Sequence, residues 1–459
     1  MDRACQHQGV HEPAARVKRA AMPERAKSPE GLRKGRILLR RHGPTAPVWR
    51  RRAAIFLGAG SVGLCAIAFA RAADWASGLF LAMDARYWWL PLLLTPIGYV
   101  AIVWLTNRLA PAARGSGIPQ IIAAKHDPDN AISGLASART AILKSILTAA
   151  ALACGGTVGR EGPTVQLGAT VMAYAHKIAR VPITASVLVA GAGAGVAAAF
   201  NTPLAGVSFA IEELAAAYEQ RMTLLVMSAV LISGMIAQGV AGDYVYFGIV
   251  GETLPLRAVL LLAPVAGVLG GLSGGLFARA TLWLARGGAR RISRGRPLLF
   301  AGACGLIVAW IGIETGMTWG TGYTAARAML DGSHAPLWFG PAKFATTLLT
   351  AGAGLPGGIF SPSLATGAGL GNLVHALFPD QPAGAVVLLG MVAYFTGAVR
   401  APLTAVIIMS ETTGSRGLML PLLAAALIAE VTAPLICRER LYHGLSVGFL
   451  PAREQADAV

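Results

Sequence analysis

The sequence predicts an all-α, polytopic membrane protein, and three observations carry that prediction. Of its 459 residues, 55% are hydrophobic and only 13% charged, against roughly 25% charged in a soluble domain, so most of the surface does not face water. Charge-free stretches long enough for a membrane helix recur from residue 53 onward; about 20 apolar residues cross a bilayer. The 56 glycines, together with abundant alanine, suit helices that approach closely, as small residues do at helix contacts in membranes.

The net charge of +17 would suit a nucleic-acid partner, but its distribution excludes one. Much of it falls in residues 1–52, from Arg16 and Lys18 through Arg50, Arg51 and Arg52, where apolar periodicity is lacking. That stretch reads as a basic, disordered cytoplasmic tail under the positive-inside rule. Asp2, Glu12, Glu24 and Glu30 are scattered through it, which argues against an organelle presequence, and the first apolar run starts too late for a cleaved secretory signal. Cys5, Cys65, Cys154, Cys304 and Cys437 are far apart and form no C-x-x-C pair, so neither a metal site nor a disulfide framework is indicated. No cofactor motif is present.

Charge-free stretches run 53–70, 87–107, 181–211, 222–242, 258–278, 297–313, 344–379 and 381–399, with shorter ones near 145–159, 401–410 and 417–429. They predict ten or more helices in a transmembrane domain over 53–450, followed by a short tail, 451–459. The basic loop Arg286–Arg296 and Arg438, Arg440 and Arg453 join the N-terminal tail as cytoplasmic sites. Both termini are then cytoplasmic, and the protein sits in the cell (inner or plasma) membrane. Two halves, about 53–280 and 297–450, are expected as inverted repeats, because each contains a Gly/Pro-interrupted helix start.

Those interruptions carry the chemistry. Irregular backbone is tolerated at membrane depth only where it is shielded or lines a cavity, and helix N-termini offer free N–H groups and partial positive charge to anions. Gly115-Ser116-Gly117-Ile118-Pro119, Gly159-Arg160-Glu161-Gly162-Pro163 and Gly357-Gly358-Ile359-Phe360-Ser361-Pro362 all have this form. Converged at one point, they would cage an anion without a full positive charge.

These three segments, in this order and spacing, resemble the anion-binding signatures of the CLC chloride channel and transporter family. The resemblance covers about 90–450. It extends to Ala199-Phe200-Asn201-Thr202-Pro203-Leu204-Ala205-Gly206 with Glu212-Glu213, to Arg400-Ala401-Pro402-Leu403-Thr404 with Glu411, and to Leu441-Tyr442. One departure is Ala353, where the family's S-G-x-P-G-G has serine.

The resemblance implies chloride transport by a homodimer in a lipid bilayer, with one pore per subunit and broken, tilted helices in each. It assigns chloride contacts to the hydroxyls of Ser116 and Tyr442 and to the backbone N–H groups of Ile359 and Phe360. Glu161 becomes the gate: a carboxylate competes with chloride for the same N-termini, and protonation releases it. Glu213 becomes the inner proton-transfer acid, chosen over Glu212 by the Asn-x-Pro anchor. Channel members usually lack an acid there, so chloride/proton antiport is implied, with a passive chloride channel of the same fold as the alternative. Lys144, a charge in an apolar stretch, is a secondary electrostatic contributor.

Other features read as structural. Arg160 is given no direct role, Glu411 reads as structural, and His176 and His375 as helix-end residues. Gly271-Leu272-Ser273-Gly274 fits the G-x-S-G of rhomboid-type proteases, with His334, His375 and His443 downstream; small residues at a helix contact explain it without chemistry.

Overall fold

A computed structural model describes residues 46–215, 220–242, 245–333 and 335–451. The fold is that of the compact unit Arg50–Val459. The first eight helices are α1 (Ala46–Arg86), α2 (Pro91–Leu109), α3 (Ile118–Ala124), α4 (Ala138–Ala153), α5 (Glu161–Ile178), α6 (Ala185–Phe200), α7 (Pro203–Phe209, continued by a π-helical turn Ala210–Leu214) and α8 (Gln220–Ala241). A second series follows: α9 (Leu256–Trp283), α10 (Pro297–Thr315), α11 (Tyr323–Leu330), α12 (Phe339–Ala353), α13 (Phe360–Leu377), α14 (Ala383–Val399), α15 (Pro402–Thr413) and α16 (Met419–Thr432). The short α17 (Leu441–Ser446) closes the order.

The two series are repeats. Long, 19-residue, short and medium helices succeed one another in the same order in each. From α4 onward the register is fixed: 144 matches 343, 161 matches 360, 201 matches 400 and 212 matches 411, a constant separation of 199. The joint therefore lies between α8 and α9, and α9 belongs to the second half. This corrects the boundary expected near 280–297. The basic cluster there dominates the sequence because of its charge, yet it only links α9 to α10, and its first part is helical (Leu284–Gly288 and Ala289–Ile292).

Five spans among the described residues are long and apolar enough to cross a membrane: Val48–Arg86, Pro91–Leu109, Leu224–Ala241, Leu256–Ile292 and Pro297–Thr315. They expose large apolar side chains such as Trp104, Leu224 and Leu260. By contrast, α6 and α14 are buried along nearly their whole length. At 16 and 17 residues they are about 25 Å long, short of a 30 Å hydrocarbon layer. Their ends therefore lie within protein, which shields the broken backbone.

The breaks have local causes. Asn201 (φ 59°) and Arg400 (φ 68°) end α6 and α14 in the left-handed conformation. The next residues, Thr202 (φ −131°, ψ 86°) and Ala401 (φ −131°, ψ 75°), lie outside the helical region, as a residue before proline must. Pro203 and Pro402 then open new helices at a position where a missing N–H costs nothing. The expected uninterrupted stretch 181–211 is thus two helices. Small residues bring paired helices together: a side chain at Gly168 would meet the Gly191 carbonyl, and one at Gly367 the Gly390 carbonyl, again in matching register.

Helix α1 begins at Ala46, so the expected tail boundary at residue 52 falls inside a helix. Arg50, Arg51 and Arg52 form its exposed first turns, where long cationic side chains can lie along apolar surface and keep their charge in water. Residues 1–45 and 452–459 lie outside the described residues.

Candidate functional site

The three Gly/Pro segments meet. Gly159 and Gly358, equivalent residues of the two halves, pair as an antiparallel bridge through N–H to carbonyl bonds of 2.6 and 2.7 Å. A residue bonded to its own repeat partner marks a two-fold axis, so this bridge lies on the pseudo-symmetry axis of the fold. Gly357 N–H donates to the Gly115 carbonyl at 3.1 Å, and Gly162 packs against Ser116. The geometry demands glycine: Gly117 (φ 114°) sits with its Cα against the Gly162 carbonyl, and Gly357 (φ 149°) against Val158.

At this junction Ser116 and Tyr442 are buried, and among the described residues neither hydroxyl has a partner in hydrogen-bond geometry. The two lie near one another, and Tyr442 is within electrostatic range of both Glu161 and Glu213. Among the described residues, the N–H groups of Ile359 and Phe360 at the start of α13 donate to no backbone acceptor. Two orphaned hydroxyls beside a helix N-terminus would be costly in a dry interior. They are the donor set a small anion needs, and they fit chloride as cargo. Phe360 packs on Phe200, Phe209 and Phe395 at centroid distances of 5.2, 6.3 and 4.3 Å, which fixes the α13 start and excludes water behind it.

Glu161 is the first residue of α5 and is 1% exposed. Its carboxylate reaches the N-terminus of α13, where the Ser361 hydroxyl donates at 2.5 Å and the Ser361 N–H at 3.4 Å. A carboxylate thus sits where an anion would bind. The preceding Arg160 turns away: its guanidinium pairs with Asp74 of α1 at 2.5 Å, donates to the Ala70 carbonyl at 3.2 Å and lies over the Tyr246 ring. It anchors the start of α5.

The two neighbouring acids are separated by the π-helical turn. Glu212 spends both carboxylate oxygens on the N-terminus of α15, accepting from Leu403 N–H (3.1 Å), Thr404 N–H (2.7 Å) and the Thr404 hydroxyl (2.6 Å). Its repeat partner Glu411 does the same for α7, accepting from Leu204 N–H (3.1 Å) and Ala205 N–H (2.7 Å). Glu213, by contrast, is buried with neither oxygen hydrogen-bonded. Among the described residues, His443 alone comes within ion-pair distance, at 3.4 Å. Lys125, at the end of α3, donates to the Leu214 carbonyl at 2.9 Å, tying the Ser116 element to the turn that carries Glu213.

Lys144 is buried on α4 with an unpaired ammonium, and no hydrogen bond or ion pair joins it to this cluster. Its repeat partner Lys343, a residue the sequence reading passed over, donates to the carbonyls of Thr318 and Gly320 at 2.8 Å each. The 199-residue register would have singled it out. Ser361 and Arg114 were also missed. Arg114 lines a cavity of about 520 Å³ that reaches Ser116, Gly357, Gly358 and Ile359. Arg290 is close enough to act on Arg114, so this vestibule opens toward the basic face.

Ser273 is accounted for by helix packing. The Ser273 hydroxyl donates to the Leu269 carbonyl of its own helix at 2.6 Å, Gly270 and Gly274 pack against α14 backbone, and the His375 ring nitrogen meets the Gln381 carbonyl. His334 lies outside the described residues.

Fold and site together define a polytopic helical protein in which helix starts from both halves meet at a buried junction. The family model for voltage-gated chloride channels matches residues 97–434. The chain is 34% identical to the H(+)/Cl(-) exchange transporter ClcA of Vibrio cholerae, over 81% of this chain and 82% of that one. With the ClcA protein of the same description from Yersinia pestis it shares 32% identity, over 86% and 87%. The crystal structure of a slow cyanobacterial Cl-/H+ antiporter matches with a TM-score of 0.74 at 26% identity, covering 88% of this chain and 99% of that one. This chain belongs to the voltage-gated chloride channel family.

Proposed function

We propose that this protein exchanges chloride for protons across a membrane, gated by Glu161. The observation that carries the reading is a pair of buried carboxylates in different bonding states. Glu161 occupies the α13 N-terminus through Ser361, and Glu213 is buried without a hydrogen bond to either oxygen. An ionised Glu161 holds the place of an anion at that N-terminus. Protonation removes its charge and its claim on the N–H groups, and chloride follows into the space. Glu213 takes or gives the proton on the opposite side.

Ser116, Tyr442 and the amides of Ile359 and Phe360 would hold chloride by hydrogen bonds and partial charge. Such a site binds firmly enough to admit an ion and weakly enough to release it. Lys144 adds long-range positive potential. The basic vestibule past Arg114 would be the cytoplasmic entrance, with both termini and the basic residues 1–45 on that side, in the plasma membrane of the cell. The exposed leucines and methionines of α7, α8, α15 and α16, including Leu204, Leu403, Leu420 and Met235, suit a contact with a second copy.

The test is proton movement in liposomes containing the purified protein, with an imposed chloride gradient, no pH gradient and a clamped voltage. Uphill proton pumping is the expected result. Chloride flux without proton pumping would make the protein a passive channel, and no chloride flux from a folded sample would overturn the transport reading.

A further inference from the structure

We propose that His443 is the residue that delivers protons to Glu213 from the basic face, a reading that rests on the antiport function above. The geometry is specific to this pair. The His443 Nδ1 lies 3.4 Å from Glu213 Oε1; the imidazole is 37% exposed and the carboxylate 0%. One ring therefore combines exposed surface with contact to a carboxylate that, among the described residues, no side chain or backbone group hydrogen-bonds. The separation is slightly long for a hydrogen bond and tightens with a small rotation of either side chain, as resting acid–base pairs commonly do.

Among the described residues, the other charges near the pair are bonded elsewhere or act only through space. Lys125 is bonded to the Leu214 carbonyl. Glu212 caps α15. Glu439, beside Gly444, is paired with Arg286 at the end of α9. Arg440 stands at the N-cap of α17 and acts on Glu213 only through space, and Arg279 of α9 lies toward Cys437. Helix α14, which also packs on α17, carries no charged residue. Among the described residues, Glu213 has His443 alone within ion-pair distance.

The position also keeps protons apart from chloride. Helix α17 places Tyr442 at the anion junction and the next residue, His443, against Glu213. The vestibule to Ser116 is lined by Leu445, Gly448 and Phe449 of this region and not by His443. Two entrances on one face would let chloride and protons arrive separately and meet only at the shared centre.

The step balances simply. The imidazolium gives its Nδ1 proton to Glu213 Oε1, which leaves a neutral imidazole protonated at Nε2 and a neutral carboxylic acid. The ring then turns toward water and takes its next proton at Nδ1; a half-exposed side chain reorients in nanoseconds. Histidine suits the task because its charge changes between about pH 5 and 8.

The test uses full-length protein in chloride-loaded liposomes, comparing the wild type with His443→Asn and His443→Ala, and following proton and chloride fluxes from pH 5.5 to 7.5. The wild type should pump protons. Both variants should lose about tenfold or more of the proton flux and the steep part of its pH profile, with free imidazole restoring part of the flux in His443→Ala. Chloride binding measured by titration calorimetry should be unchanged, which shows the variants are folded. If the wild type pumps and the variants pump at the same rate with the same pH profile, His443 has no such role. Loss of chloride binding in both variants would make the residue structural and overturn the proposal. If the wild type moves chloride without protons, the antiport reading fails first and this inference with it.

Discussion

The two halves of this molecule share a backbone and differ in chemistry. At matching positions 199 residues apart, each half breaks a helix at a left-handed residue and restarts it at a proline. Each lends a glutamate to the other's helix start: Glu411 to α7 and Glu212 to α15. The side chains at the centre do not match. Where the first half has Glu161 and Glu213, the second has Phe360 and Thr412. The first half supplies both acids; the second supplies the helix start and aromatic packing on which Glu161 rests. Symmetry builds the junction, and departure from symmetry places the two buried acids there; on the proposed function these carry the proton.

The comparison can be broken most severely at Glu161. Glu161→Ala removes the group that links the two ions, and proton flux should fall by at least about 100-fold while chloride flux persists; liposome flux assays check both. Next come the buried lysines. Lys343→Met leaves two buried carbonyls without their donor and should cost about 3 kcal/mol or more, seen as a large drop in thermal midpoint in detergent. Lys144→Met removes a buried charge with no bonded partner and should be neutral or stabilising. Equal losses would show that the repeat, not the bonding, sets their contribution.

Glu213→Thr installs the residue found at the matching position of the second half. Proton flux should drop about tenfold or more, with chloride binding retained, as judged by calorimetry. The smallest effect is expected at the crossed caps. Glu212→Gln and Glu411→Gln should each cost about 1–2 kcal/mol, measured by thermal unfolding. Glu212→Gln should be the larger, because it also loses the Thr404 hydroxyl.

Much of the site was legible because its residues sit in contiguous motifs whose Gly and Pro content has a local cause. Those motifs drew attention to Ser116, Glu161, Ile359 and Phe360, whereas Tyr442 was named only through the resemblance to the CLC family. Residues whose importance is a distance could not. Ser361 matters because Glu161 reaches it across the axis, Asp74 because Arg160 does, and His443 because Glu213 does; each pair is far apart in the chain. The half boundary was misplaced for a related reason. Arg286–Arg296 is the densest charge in the middle of the sequence, but charge marks a side of the membrane and not a repeat joint.

By itself the sequence determined the medium and the local conformation. Low charge with long apolar runs requires a bilayer, and Asn-Thr-Pro and Arg-Ala-Pro require helix breaks, because proline restricts its own residue and the one before it. Only the tertiary structure decided which of two adjacent glutamates is bonded and which is free. A π-helical turn sends Glu212 to the α15 N-terminus and leaves Glu213 in the interior beside His443. The Asn-x-Pro anchor singled out Glu213 through the family resemblance, but the bonding state of each acid depends on where a helix from the other half begins.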